Sequence, residues 1–146
     1  MTRGLKIAAV TMLVLSAIGF LDATYLTVEH YRGEIPPCAI IGGCEAVLTS
    51  PQAKIADVPV ALLGSLYYLL ILILAVASLD RQNYATLRFA SRLTILGLVA
   101  SAYFVSLQLF VIESICQYCL ISAGTSTLLF ITGMCVRRKI NQLPVS

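Results

Sequence analysis

The segment of this chain best suited to chemistry is Cys116-Gln117-Tyr118-Cys119. Two cysteines three positions apart lie almost one above the other on a helix, so their thiols are within reach as a thiol-disulfide couple. At the first turn of a helix the positive end of the backbone dipole favours the thiolate, the species that attacks disulfides and electrophiles. A second pair, Cys38 and Cys44, stands much earlier in the chain. Four cysteines allow three pairings, and redox exchange competes with two other readings: a soft-thiolate metal site or transporter, and a static disulfide that only holds a loop. Cys135 lies 16 residues past Cys119. That is about 24 Å further along a helix and beyond disulfide reach, so Cys135 reads as a small apolar filler.

Two features favour exchange. A disulfide inside a CxxC closes almost no loop, so it adds little stability and serves better as a redox couple. Pro36-Pro37 before Cys38 and Gly42-Gly43 before Cys44 give the loop pair a mobile setting that can turn one sulfur outward and the other inward. Cys44 is the natural partner for Cys116. Attack through a mixed disulfide would carry electrons from Cys38 and Cys44 to Cys116 and Cys119.

The elements that must position these thiols are membrane spans. Of 146 residues, 59% are hydrophobic and 12% charged, against about 25% charged in an ordinary soluble domain. The expected fold is all-α: an integral membrane four-helix bundle forming a single domain over residues 1–146, with spans at about 7–28, 60–79, 93–112 and 115–136. A cap loop, 29–58, contains a short helix near Cys44-Glu45-Ala46-Val47-Leu48, limited by Pro51. The first apolar run is too long for a secretory signal and continues past its small-residue stretch, so it reads as a retained span. The connection 80–92 and the turn at Glu113-Ser114 are short.

Charge sets the orientation. Arg3, Lys6, Arg81, Arg88, Arg92, Arg137, Arg138 and Lys139 fall on one side with Asp80 as the only acid, whereas the other side sets Arg32 and Lys54 against Glu29, Glu34, Glu45, Asp57 and Glu113. The positive-inside rule then places both termini in the cytoplasm and both cysteine pairs at the extracytoplasmic face of the cell membrane, where disulfides persist.

Electrons reaching Cys119 need a sink, and the chain carries no motif for flavin, nicotinamide, haem or phosphate. A lipid-soluble quinone such as ubiquinone or menaquinone is the economical acceptor, in a pocket lined by Tyr67, Tyr68, Tyr103, Phe104 and Gln108. No metal and no nucleic-acid partner is expected. Asp22 lies about four residues below the outer end of the first span, where an acid is costly enough to imply a role. Proton delivery to a reduced quinone and simple helix packing are both open. His30, at the membrane edge, reads as a solvated loop residue.

The order of these features resembles the vitamin K epoxide reductase (VKOR) family, more closely its prokaryotic disulfide-forming members. The motifs are Gly43-Cys44-Glu45-Ala46-Val47-Leu48-Thr49-Ser50-Pro51, Pro59-Val60-Ala61-Leu62-Leu63-Gly64, Asp22-Ala23-Thr24-Tyr25-Leu26-Thr27 and Cys116-Gln117-Tyr118-Cys119. The resemblance implies a bundle around a quinone, Cys38 meeting a thioredoxin-like partner, Cys44 relaying to Cys116, Cys119 facing the quinone, and Ser50 near it. Many bacterial relatives carry a fused thioredoxin-like domain, absent from this sequence, so the partner is expected to be a separate extracytoplasmic protein. Val60 and Ala123 stand where the animal enzymes have Asn and Tyr, which argues against epoxide reduction, although a quinone or quinone-epoxide reductase of animal type is the alternative reading.

Overall fold

The computed structural model describes residues 1–38 and 43–144; Gly42, half of the expected glycine pair, lies outside the described residues. Four long helices form the bundle: α1 (Arg3–Arg32), α3 (Val60–Arg81), α4 (Tyr84–Leu107) and α5 (Gln117–Asn141), with the short α2 (Cys44–Leu48) in the cap. All four long helices, α4 together with its continuation to Ile112, are long and apolar enough to cross a membrane. α1 packs most extensively on α3 and α5, and α4 on α5, while α3 and α4 touch over a smaller area.

The helix ends follow local chemistry. The Thr2 hydroxyl accepts from the Leu5 N–H at 3.4 Å to open α1, and Gly33 closes it in the left-handed conformation at φ 70°. Asn83 opens α4 by accepting from the Ala85 N–H at 2.9 Å. Helix formation thus outruns hydropathy. α1 extends beyond both limits expected for the first span, and α5 runs on through Arg137, Arg138 and Lys139. The expected connection 80–92 is mostly helix, the chain reversing over Gln82 and Asn83 alone. Arginine is a good helix former, and charged side chains at a helix end reach the headgroups without breaking the backbone ladder.

The cap holds the expected short helix at Cys44–Leu48, followed by a 3-10 turn at Pro51–Ala53. It also contains a two-residue antiparallel ladder that the all-α expectation did not include: β1 (Lys54–Ile55) pairs with β2 (Val58–Pro59). Ala56 and Asp57 both adopt positive φ, 51° and 65°, as a two-residue hairpin turn requires.

Side chains sort by face. Leu5, Met12, Ile71, Leu87, Leu129 and Val136 are buried in the bundle, whereas Ile7, Leu21, Leu66, Leu96, Val99 and Ile131 are exposed. An apolar exterior of this extent suits hydrocarbon, not water. With lipid outside, helix association relies on close packing of small residues and interhelical hydrogen bonds. Thr24 and Ser65 join α1 to α3 at 2.8 Å, and the fully buried Tyr68 reaches from α3 to α5, donating to the Ser122 carbonyl at 2.8 Å and meeting Ser126 Oγ at 2.8 Å. Gly19 makes this possible, because a Cβ there would run into the Tyr68 ring. Gly19→Ala should therefore lower stability by about 1–3 kcal/mol, the usual range for overpacking, seen as a lower melting midpoint by circular dichroism in detergent.

Candidate redox site

The site is built at the junction of α4 and α5. The last turn of α4 widens into a π turn, Gln108–Ile112, whose Gln108 carbonyl accepts from the Glu113 and Ser114 N–H groups, the latter at 3.1 Å. Widened turns of this kind recur at functional sites because they re-aim one side chain. Here that side chain is the amide of Gln108, which is buried. Its Oε1 accepts from the Cys116 N–H at 3.1 Å, and its amide also hydrogen-bonds the Cys119 thiol. Gln108 was expected in the acceptor pocket. It does border the cavity described below, yet its hydrogen bonds hold the CxxC turn.

Cys116 is the N-cap of α5 and Cys119 its third residue, so both sulfurs lie at the positive end of the helix. The Cys116 thiol is lowered to about 7, first by the hydrogen bond its sulfur receives from Cys119, with the N–H groups of Cys119 and Tyr118 adding to it against the opposing effect of burial. The two cysteines differ in surroundings. Cys116 is fully buried and packs with Cys44 and Val47 under the cap, whereas Cys119 is half-buried and opens into a cavity.

The cap brings the second pair to the first. Cys38 and Cys44 form a disulfide, with Cα atoms 6.0 Å apart, while Cys116, Cys119 and Cys135 are free. All four candidate cysteines join one cluster, with Ile112, Leu48 and Tyr118 packed around them. Gly43 is essential to that approach, because a Cβ there would collide with the Ile115 backbone. Tyr118, between the two cysteines, donates its hydroxyl to the Pro37 carbonyl at 2.8 Å and packs on the Tyr25 ring with centroids 5.6 Å apart. Tyr118 thus joins the CxxC turn to the segment before Cys38. Its role escaped the sequence reading, since nothing in a CxxC specifies which loop its middle residues touch.

A cavity of about 670 Å³ lies between the helices beneath the cap, lined among others by Cys119, Ser50, Tyr67, Phe104 and Gln108. This volume is in the range of small-molecule sites. Ser50 Oγ donates to the Val47 carbonyl at 2.6 Å, and the Tyr67 hydroxyl is buried without a partner. Tyr103 does not line the cavity. It is 60% exposed on the outer face, although its ring touches Phe104 at 5.2 Å, because consecutive helical residues point about 100° apart. His30 belongs to the last turn of α1 and contributes to the cavity wall, so it is not a loop residue. Cys135 is exposed on α5 instead of filling the interior.

The sequence profile of the vitamin K epoxide reductase family matches residues 10–134, from α1 to near the end of α5. The chain belongs to this family. No curated protein sequence matches it. VKOR membership, with a disulfide and a free CxxC gathered in one cluster, points to a membrane thiol oxidoreductase. Because Cys119 holds the Cys116 thiolate, Cys119→Ala in a chain with Cys38, Cys44 and Cys135 also replaced by alanine should move the Cys116 titration upward from about 7. Thiolate absorbance against pH, with Cys119 present and absent, measures the shift.

Proposed function

We propose that the protein oxidises an extracytoplasmic thioredoxin-like partner and passes the electron pair through Cys38, Cys44, Cys116 and Cys119 to a membrane quinone such as ubiquinone or menaquinone, supporting disulfide formation. One observation carries this reading: Cys116 is buried against Cys44, while its CxxC partner Cys119 opens into the cavity. The two faces of one couple thus meet a donor and an acceptor.

The steps follow from thiol exchange. A partner thiolate attacks Cys38 and releases Cys44. The second partner thiol then frees Cys38, leaving the partner oxidised. The Cys44 thiolate attacks Cys116 of the oxidised CxxC, Cys119 departs, and Cys38 closes on Cys44. This restores the loop disulfide and leaves two thiols at Cys116 and Cys119, the redox state of the structure. A bound quinone supplies the acceptor for their electron pair.

The cavity suits such a molecule. Phe104 and Tyr67 both line it. Leu63 of α3 and Leu96 of α4 are part of the wall and also exposed, so the wall reaches the bundle surface between these two helices, a route for a hydrocarbon tail into lipid. Ser50 lines the same wall below the cap. Val60 and Ala123 line it too, making the wall apolar at the positions that are Asn and Tyr in the animal enzymes. This favours disulfide formation over epoxide reduction. The loop disulfide engages two of the four thiolates that a metal transporter would need.

The charge asymmetry of the chain supports a cell-membrane orientation with both termini in the cytoplasm and the cap outside. The test is quinone reduction by the purified protein supplied with a reduced thioredoxin-like protein. Cys116→Ala and Cys119→Ala should abolish turnover with every donor. Cys38→Ala and Cys44→Ala should abolish it with the protein donor while a small dithiol still supports it. Four variants that behave alike, or a wild type that reduces no quinone, would overturn the reading.

A further inference from the structure

Two buried side-chain oxygens among the described residues have no hydrogen-bond partner, Tyr67 Oη and Asp22 Oδ2, and both residues line the cavity. Asp22 is the more demanding case. It sits within α1, inside a membrane span, where an acid without a partner is costly. A buried polar atom left unpaired in a native chain calls for a reason, and a catalytic role is one. The neighbours of Asp22 narrow the choice. It interacts electrostatically with Cys116 and Cys119 at the start of α5 and with Tyr68 of α3, and it shares the cavity wall with Tyr67 and His30. Tyr68 is already committed to Ser122 and Ser126. No lysine or arginine reaches Asp22 among the described salt bridges, so the carboxyl is not half of an ion pair.

An acid placed this way has work that the thiol relay leaves undone. Taken from the dithiol form, which Cys116 still populates near neutral pH with its thiol lowered to about 7, oxidising the CxxC breaks two S–H bonds and forms one S–S bond. The electron pair goes to the acceptor, and two protons must reach acceptor oxygens. Cys119 opens to the cavity and delivers its own. Cys116 does not line the cavity, so its proton needs a carrier across the gap.

We propose that Asp22 is that carrier, a catalytic residue whose carboxyl takes the proton of Cys116 and gives it to a quinone oxygen. This inference rests on the quinone-reducing reading above. The balance closes: two thiols and one quinone become one disulfide and one hydroquinone, with one proton from Cys119 and one from Cys116 by way of Asp22, which returns to its starting state. Asp22 lines the cavity, which sets its carboxyl beside the space an acceptor would fill.

The experiment compares wild type, Asp22→Asn and Asp22→Glu in detergent. Asparagine keeps the shape and a hydrogen bond but cannot carry the proton. In Asp22→Asn, single-turnover reduction of a soluble ubiquinone analogue by the pre-reduced CxxC should slow by about 100-fold, at the lower end of general acid effects. Exchange between the loop pair and a reduced thioredoxin-like protein should keep its rate, and Asp22→Glu should recover most of the loss. Infrared difference spectra should show a carboxyl band that shifts when the analogue binds to wild type and is missing in Asp22→Asn. A wild-type quinone rate in Asp22→Asn, equal slowing of thiol exchange, or the same infrared change without Asp22 overturns the proposal. A wild type that reduces no quinone overturns the parent reading as well, so the two failures are distinguishable.

Discussion

The amide of Gln108 holds the turn on which the redox pair stands, and much else depends on where that turn sits. A helix beginning at Cys116 leaves N–H groups without intrahelical partners, and in an apolar bundle each would be costly to bury bare. Gln108 answers one of them at the Cys116 N–H and also meets the Cys119 sulfur. It can do both because α4 ends in a π turn that directs the side chain across to the start of α5. The cap depends on the same turn, since Gly43 packs on the Ile115 backbone and Tyr118 donates to Pro37.

From that turn follows a division between the two sulfurs. Cys116 is sealed under the cap with Cys44, away from water, with its thiolate supported by Cys119 and by backbone N–H groups. Cys119, one helical turn along, opens to the interior cavity. One helical turn of separation therefore gives the couple two environments, one beside the loop disulfide and the other beside the interior cavity.

The bilayer imposes the remaining order. Lipid outside the bundle removes the usual drive to bury apolar side chains, and the helices are joined instead by small residues and polar contacts such as Thr24 with Ser65 and Tyr68 with Ser122 and Ser126. The weaker α3–α4 contact leaves room for the cavity, whose wall reaches the exposed Leu63 and Leu96.

The sequence by itself determined the class of this protein: the number of spans, the short helix at Cys44, and the four cysteines in two pairs. Hydrophobic runs of spanning length and a CxxC at a helix start are local signals, written in adjacent residues. Helix limits were less legible, because hydropathy ends where the hydrocarbon ends, while hydrogen bonding carries α1 to Arg32 and α5 to Asn141. Only the tertiary structure decided which side chains share a space. Tyr103 and Phe104 are neighbours in sequence with similar rings, yet helix rotation sends one outward and the other into the cavity wall. Gln108 was legible as a polar residue in a span, whereas its grip on Cys116 required the π turn that no single residue signals. Asp22 stood out by its cost, and its proximity to the CxxC depended on how α1 packs against α5, a relation between segments nearly a hundred residues apart that physical contact alone establishes.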